Sequence, residues 1–395
     1  MRYLWFGLLL MISSMTNKVK ADAIGVRVAS FNVSMEATNY VASNMPVLGD
    51  ELHQQLNTKH NKQIKHIAEI IQHVRPDIIL LNEFDYLKTS AADIRSFLTD
   101  YLAVGQTDGE KIDYPYYFTA PVNTGVDSGL DLDKDGIVSG IKGDAFGFGF
   151  FPGHYAMLVL SKYPIHFEQV RTFQHFLWKD MPNNLLTTIQ DENGQPYYSK
   201  QAQQILRLSS KSHWDIPLQV GKKTIHLLAS HPTPPVFDGP EDRNGKRNHD
   251  EIRFWTDYIS GQAQSAYIYD DKGKQGGFTG KHFVIAGDLN ASIEEGDAYK
   301  SGIQGLLKHE LVNDKIIPRS LGAKQRSPEN PYAAGHTAEW GMRADYVLPS
   351  TSLICIDSGV FWPKQDDPLA RLVKGRNSSS DHRLVWLDLD VNQAQ

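Results

Sequence analysis

The amino-acid sequence predicts a mixed α/β fold in a single domain, and three observations support this prediction. Segments with strand-like and helix-like patterns alternate almost to the C-terminus. The 395 residues are 41% hydrophobic and 22% charged, which is typical of a globular chain with a substantial core. This length suits one large domain or two modest ones, but the sequence has neither a Pro/Ser-rich linker nor an internal repeat. We therefore predict one domain over residues 24–395.

The first 23 residues have a different composition from the rest of the chain. Arg2 precedes an apolar run over residues 3–12, and Ala21 and Ala23 form an A-x-A-like cleavage site. This pattern predicts a signal peptide over residues 1–23, although a buried N-terminal strand or a retained anchor would give a similar run. The run is too short for a transmembrane helix. We expect a monomer that is secreted or periplasmic, with no stable membrane association.

The chain then opens with a predicted strand–helix–strand unit. Residues Ile24–Val33 alternate in polarity and are rich in β-branched side chains, which indicates a strand. Apolar residues over Asn61–Val74 recur at the spacing of one helical face. Pro76 ends that helix, and Asp77–Asn82 (DIILLN) has the continuous apolar centre of a buried strand.

Five further strands and two further helices are predicted downstream. The strands are Tyr155–Ser161, Thr224–Ser230, His282–Ala286, Ala344–Leu348 and Arg383–Leu389, and the helices are Asn248–Tyr258 and Gly302–Lys308. The stretch Thr107–Gly153 is rich in Gly and Asp and has no regular period, so we predict a long loop there.

Composition and motifs exclude several classes of function. The only cysteine is Cys355, so an intramolecular disulfide and a CxxC metal site are both excluded. The net charge of −6 disfavours a protein that grips long nucleic acid through many phosphate contacts. The sequence has no P-loop, no dinucleotide-binding glycine fingerprint and no G-x-S-x-G elbow, so nucleotide-transfer, redox and acyl-transfer chemistry find no support.

Polar residues that suit metal binding or acid–base chemistry recur at the ends of the apolar strands. One such residue alone is usually a turn former or a cap, but the recurrence at strand after strand indicates a site built from strand ends. These residues are Asn32, Glu83, His231, Asp288, Asn290, Asp345, Asp381 and His382.

The segments around these residues resemble the motif blocks of the endonuclease/exonuclease/phosphatase superfamily, in the same order along the chain. They are FNV at 31–33, PDIILLNEFD at 76–85, SHP at 230–232, GDLNAS at 287–292, RADYVL at 343–348 and SSDHRLV at 379–385. The resemblance covers about residues 26 to 390. It implies a DNase I-like four-layer α/β sandwich, in which two mixed β-sheets pack face to face between flanking helices, and a metal-dependent phosphoesterase activity.

The same resemblance implies a role for each of these residues. Asn32, Glu83 and Asp381 would bind Mg²⁺ or Mn²⁺, and their oxygen atoms are the hard ligands that these ions prefer. Asp288 would orient or deprotonate the attacking water, and Asn290 would donate to a phosphoryl oxygen. His382, paired with Asp345, would stabilise the transition state, and His231 would contact the phosphate. Ser34 stands where nuclease-like members carry a second acid, which weakens the case for a second metal.

Two other residues are candidate phosphate contacts. Arg207 precedes the predicted His231 strand and would clamp a phosphate, although an exposed strand arginine would give the same pattern. Tyr155 stands where relatives often carry a phosphate-contacting tyrosine, and core packing explains it equally well.

The run Asp131-Leu-Asp-Lys-Asp-Gly136 matches the front of a calcium-binding loop. Position twelve is Lys142 instead of the usual bidentate Glu, so we do not predict an EF-hand. Asp131, Asp133 and Asp135, with Asp144 as the replacement ligand, predict a structural Ca²⁺ site, and a simple acidic turn is the alternative.

The function predicted from these observations is hydrolysis of a phosphate ester by water, without a covalent intermediate. The substrate is either a small phosphomonoester or phosphodiester, which the acidic charge favours, or a nucleic acid, as for a secreted nuclease. A basic groove would favour the nuclease. The polar loop Pro232–His249 contributes Arg243, Lys246 and Arg247 as a candidate basic rim. A noncatalytic calcium-stabilised binding protein on the same fold is a third alternative.

Overall fold

Two β-sheets form the centre of the computed structural model, which describes residues 25–42 and 44–392. The predicted leader, residues 1–23, lies outside the described residues, so export stays a prediction. No helix in the described ranges is both long enough and apolar enough to cross a membrane. The division into a leader and one domain likewise stays a prediction.

Eleven strands and eight α-helices are found in the described residues. In chain order the strands are β1 (Gly25–Met35), β2 (Ile78–Phe84), β3 (Tyr116–Phe118), β4 (Met157–Ser161), β5 (Arg171–Thr172), β6 (His213–Val220), β7 (Lys223–Ser230), β8 (His282–Asp288), β9 (Asp345–Pro349), β10 (Ile354–Val360) and β11 (Val385–Asp390). The helices are α1 (Glu51–Thr58), α2 (Lys62–Val74), α3 (Ser90–Ser96), α4 (Lys200–Ile205), α5 (Arg243–Ile259), α6 (Gln262–Ser265), α7 (Lys300–Leu307) and α8 (Leu321–Arg326).

Both sheets are mixed. The first has the strand order β10-β11-β1-β2-β4-β3 and the second has the order β5-β6-β7-β8-β9. The parallel pairs are β1 with β2 and β7 with β8, and the remaining neighbours are antiparallel. The chain therefore has the two mixed sheets of the predicted four-layer sandwich, and the fold prediction is confirmed.

Successive side chains along the strands of the second sheet point to opposite faces, and each face packs in a different hydrophobic core. In β8, Val284 and Ala286 belong to the core that the two sheets share, whereas Phe283 and Ile285 pack in a second core with α5 and α7. Successive residues of a strand point to opposite faces, which gives this division. Helices α1 and α2 contribute to the first core, so the layers run helix, sheet, sheet, helix.

The predicted elements are present with three differences. Tyr155 precedes β4 because its backbone is left-handed (φ 55°), which ends the extended conformation there. The helix predicted from Asn248 begins at Arg243, inside the segment predicted as a polar loop. Strands β3, β5, β6 and β10 and helices α1, α3, α4, α6 and α8 were not predicted, and β3 lies in the stretch predicted as a long loop. In β6, Asp215 and Pro217 break the apolar pattern.

His213 of β6 is a buried histidine whose titration should weaken the fold in acid. The ring is 1% exposed, packs against Phe254 and Trp255, and donates from Nε2 to the Glu251 carbonyl oxygen at 2.8 Å. Burial lowers the pKa of His213 to about 4, against about 6.5 in an unfolded chain. Because the unfolded chain binds the proton first, the stabilisation is complete above pH ~6.5 and is lost as the pH falls towards ~4, at a cost of about 3 kcal/mol.

Urea unfolding between pH 7.5 and pH 4.5 measures this effect. We expect the free energy of unfolding to fall steeply over this range in the wild type and less steeply in His213→Gln. The exposed His60 provides the matched control, so His60→Gln should keep the wild-type slope. Equal slopes in all three proteins would contradict the assignment to His213.

Candidate active site

The polar residues predicted at the strand ends meet at one edge of the two sheets. Strand pairing sets Asn32 of β1 opposite Asn82 of β2, and Asp288 of β8 opposite Asp345 of β9. A cavity of about 920 Å³ opens at this edge. Of the predicted residues, those lining it are Glu83, Tyr155, His231, Asp288, Asn290, Asp381 and His382.

Left-handed backbone turns several of these side chains into the cavity. Glu83 (φ 57°), Tyr155 (φ 55°) and Asn290 (φ 51°) adopt this conformation, which non-glycine residues rarely adopt and which is often found at functional sites. Gly287, in the GDLN segment, has a φ of 155°, and a Cβ there would lie 2.0 Å from the Ser230 carbonyl oxygen. Only glycine therefore allows β7 and β8 to approach this closely beside the site.

Asp288 is the centre of the site. Its Oδ2 accepts a hydrogen bond from Asn32 Nδ2 at 3.1 Å and lies 3.4 Å from His231 Nε2 and 3.6 Å from His382 Nε2. Burial by itself raises the pKa of this carboxyl group, but His382, His231 and Asn32 outweigh burial and hold the pKa well below its usual range. Asp288 is therefore an anion at neutral pH, 1% exposed, with its charge directed at the cavity.

Asn290 reaches the cavity by a different route from the one predicted. An extended chain would place Asp288 and Asn290 on one face, but β8 ends at Asp288 and the chain turns, with Asn290 N donating to Asp288 Oδ1 at 3.0 Å. The Asn290 Nδ2 donates to the Pro232 carbonyl oxygen at 3.2 Å. Both side chains still line the cavity, because the turn after β8 directs Asn290 to the same side as Asp288.

His382 forms the predicted pair with Asp345. The His382 Nδ1 lies 2.9 Å from Asp345 Oδ2, and both side chains are buried. Burial lowers the pKa of His382, but Asp345 and Asp288 outweigh it and raise the pKa to about 10. His382 is therefore an imidazolium ion at neutral pH, held between two carboxylates.

His231 has the opposite protonation state. Burial and the neighbouring Lys211 lower the pKa of His231, although Asp288 and Glu83 oppose the shift. The ring is therefore neutral at pH 7. Its Nδ1 is buried and has no hydrogen-bond partner among the described residues. The site thus contains one charged and one neutral histidine on either side of the same carboxylate.

Lys211 is a basic residue of the cavity that the sequence analysis did not identify. The side chain is 5% exposed and lines the cavity. Burial lowers the pKa of this lysine, while Glu251, Glu83 and Asp288 oppose the shift. Lys211 precedes β6, so recognising that strand would have placed this lysine at a strand end beside His231.

Arg207, the predicted phosphate clamp, is not brought to the cavity. Its Nη1 donates to Asn123 Oδ1 at 2.7 Å, and its guanidinium lies 4.2 Å from the centre of the Phe146 ring. Arg207 therefore has a packing role here, and Lys211 is the basic group on this wall. Tyr155 does line the cavity, where its ring stacks on His154 with centroids 3.6 Å apart.

Two of the three predicted metal ligands, Glu83 and Asp381, line the cavity, and Asn32 is buried. Glu83 and Asp381 face the same guanidinium, that of Arg376, with closest N–O distances of 3.8 Å each. Asn32 is fully buried, and its Oδ1 accepts from Ser34 N at 3.2 Å. Two carboxylates around one cation offer the hard oxygen ligands that suit a divalent ion.

Two residues of the predicted basic rim, Arg243 and Arg247, line the cavity, and all three of its cations make contacts with the protein itself. Arg243 lines the cavity but is ion-paired with Glu241. Arg247 donates to the carbonyl oxygens of Leu208, Phe146 and Arg207, and Lys246 donates to those of Thr188 and Glu241. Exposed aromatic side chains also line the cavity, with Phe148, Phe237 and Trp340 exposed by 55%, 88% and 54%.

The predicted calcium loop brings three of its four carboxylates together. Ligand oxygens of Asp131, Asp133 and Asp144 all lie within 4.8 Å of one another, and Asp135 is not part of this group. Both Asp144 oxygens accept hydrogen bonds from the loop, from Leu132 N and from Ser139 N. A structural calcium ion stays a prediction.

Residues 29–382 match the sequence profile of the Endonuclease/Exonuclease/phosphatase family. None of the curated proteins matches significantly.

Similar solved structures include an endonuclease/exonuclease/phosphatase from Beutenbergia cavernae (17% identity, 93% of this chain and 71% of that chain covered, TM-score 0.47). A family protein from Leptotrichia buccalis is 12% identical, with 92% and 98% covered and a TM-score of 0.44. The human Nocturnin catalytic domain with bound sulfate anion is 13% identical, with 92% and 94% covered and a TM-score of 0.44. These similarities are too low to inform the substrate.

Proposed function

The chain belongs to the endonuclease/exonuclease/phosphatase family, and from this premise we propose that it is a divalent-metal-dependent phosphoesterase that hydrolyses a small phosphomonoester or phosphodiester by direct attack of water. The observation that supports this most strongly is the cluster around Asp288. One buried carboxylate lies between a cationic and a neutral histidine, beside two further carboxylates that fit a metal ion.

Asp288 is the group that acts on the water. Its charge is directed at the cavity, and Asn32 and the Asn290 backbone fix its two oxygens. A carboxylate with so low a pKa is a weak base, so its main contribution is to orient the water and to accept the proton as the new P–O bond forms. Mg²⁺ or Mn²⁺ held by Glu83 and Asp381, with Asn32, would neutralise charge on the phosphoryl oxygens.

The remaining side chains hold and neutralise the phosphate. The imidazolium of His382 stabilises the charge that develops on the phosphoryl group, because Asp345 fixes the orientation of its ring. His231 and Asn290 offer hydrogen bonds, and Lys211 lies in the same cavity near Glu83 and Asp288. Proton transfer and charge stabilisation thus come from different residues around one phosphate.

The cavity favours a small substrate over a long nucleic acid. Long nucleic acids bind through rows of free Lys and Arg. Here Arg243, Lys246 and Arg247 are held by internal contacts, and exposed aromatic side chains line the cavity. The exposed rings of Phe237 and Trp340 suit the apolar or aromatic part of a small ester.

Hydrolysis of bis-p-nitrophenyl phosphate, p-nitrophenyl phosphate and supercoiled DNA by the purified protein tests this proposal. Each substrate is tested with Mg²⁺, Mn²⁺, Ca²⁺ or EDTA. We expect turnover of a small ester that requires Mg²⁺ or Mn²⁺ and disappears in EDTA and in Asp288→Asn. Faster cleavage of DNA would favour the nuclease alternative. Hydrolysis that persists in EDTA would contradict the metal dependence, and absence of all turnover would favour a binding protein.

A further inference from the structure

Arg376 places a positive charge inside the group of carboxylates that would hold the metal. It lies in the loop between the short 3-10 helix Pro368–Val373 and β11. Its Nη2 lies 3.0 Å from Glu36 Oε1 and 3.8 Å from Glu83 Oε2, and its Nη1 lies 3.8 Å from Asp381 Oδ2. One guanidinium therefore faces both carboxylates of the proposed metal site.

We propose that Arg376 is an intramolecular competitor of the divalent ion, which occupies the cation position between Glu83 and Asp381 and is displaced when the metal binds. This inference rests on the proposed function, because it takes Glu83 and Asp381 as the metal ligands. A divalent ion and a guanidinium need the same carboxylate oxygens and repel each other at short range. The arginine therefore sets how much metal is needed to fill the site.

The contacts of Arg376 are unequal in a way that permits this exchange. The contact with Glu36 is a hydrogen bond at 3.0 Å, whereas the contacts with Glu83 and Asp381, at 3.8 Å, are beyond hydrogen-bond range. The guanidinium can thus move away from both predicted ligands while it keeps its bond to Glu36. The Arg376 side chain is 43% exposed, which leaves open space on its outer side.

Glu36 is a rigid anchor for this movement. Its carboxylate is fully buried, lies 2.9 Å from His154 Nε2, and accepts hydrogen bonds from Thr38.

Calorimetric titration of Mn²⁺ into the full, EDTA-stripped protein tests the inference without measuring activity. In Arg376→Gln, which removes the charge but retains an amide that can reach Glu36, we expect the Kd for Mn²⁺ at this site to fall about tenfold, equivalent to about 1.4 kcal/mol. In Arg376→Lys, which keeps a charge but lacks the planar fork, the Kd should lie between the two. Arg371 is the matched control, since it lies in the preceding 3-10 helix and is ion-paired with Glu69, away from the cavity.

The outcomes separate this inference from the proposed function. Tighter Mn²⁺ binding in Arg376→Gln, with Arg371→Gln unchanged, supports the competitor role. An unchanged or weaker affinity in Arg376→Gln overturns that role while leaving the metal site and the phosphoesterase proposal intact. Glu83→Gln removes one of the proposed metal ligands. If Mn²⁺ binding is absent in both the wild type and Arg376→Gln, or is not abolished by Glu83→Gln, the metal dependence of the proposed function fails, and the competitor role fails with it.

Discussion

Asp288→Asn is expected to lower kcat/KM for phosphate-ester hydrolysis by about 10⁴-fold, the upper end of the range for the loss of a general base. The change is nearly isosteric, and the amide can still occupy the space between His231 and His382. It removes the negative charge that orients the attacking water and accepts its proton. The loss should therefore lie mainly in kcat, because the phosphate-binding groups remain.

Steady-state kinetics on the preferred small ester, with circular dichroism to check folding, measures this effect. Asp270 is a suitable control because it is also buried and charged, but it pairs with Arg171 away from the cavity. Asp270→Asn should destabilise the fold while the folded fraction keeps its turnover. A folded Asp288→Asn protein with near wild-type kcat would rule out the role of Asp288.

His382→Gln is expected to lower kcat by about 10³-fold, because it removes the only charged histidine that faces Asp288 in the described part of the chain. Asp345→Asn should cause a smaller loss, of about tenfold to a hundredfold, since His382 stays in place without its orienting carboxylate. Because both changes act through the same imidazolium, the double variant should be little worse than His382→Gln alone. A fully multiplicative double variant would show that the two residues act independently.

The pH dependence of kcat distinguishes an orienting role of Asp345 from a merely structural one. Asp345 is a main cause of the raised pKa of His382, about 10, so its loss lowers that pKa. Since the imidazolium is the active form, activity is present below the pKa and lost above it. The alkaline limb of the pH profile should therefore move to lower pH in Asp345→Asn. If the alkaline limb does not move, a group other than His382 causes the loss of activity at high pH.

Local sequence patterns were enough to predict most of the buried framework and the residues of the site. Helix α2 and strands β2, β7 and β8 have strong apolar periodicity, and polar residues at the strand ends line the cavity as expected. This follows from strand geometry, because a rigid buried strand delivers the residue at its end to a definite place.

Helix α5 shows why other elements could not be predicted from local pattern. Its N-terminal half turns polar residues inward, and Asn248, Asp250 and Glu251 are fully buried. Their partners are distant in sequence: Asp250 accepts from Trp178 Nε1, and Glu251 accepts from the backbone of Ser210 and Thr233. The first turns of this helix, before Ile252, have no apolar face to detect, and tertiary hydrogen bonds make the burial of their polar residues favourable.

The sequence alone determined the family, the class of chemistry and the acids, amides and histidines that line the site, because these depend on residue type and on position at a strand end. Tertiary structure decided which charges are free. Lys211 lines the cavity whereas Arg207 bonds to Asn123, and Arg376 lies beside Glu83 and Asp381 whereas Arg247 donates to backbone carbonyls. The residues next to these lysine and arginine side chains in sequence do not distinguish them. Whether a side chain can bind a ligand depends on whether a partner from a distant segment already contacts it.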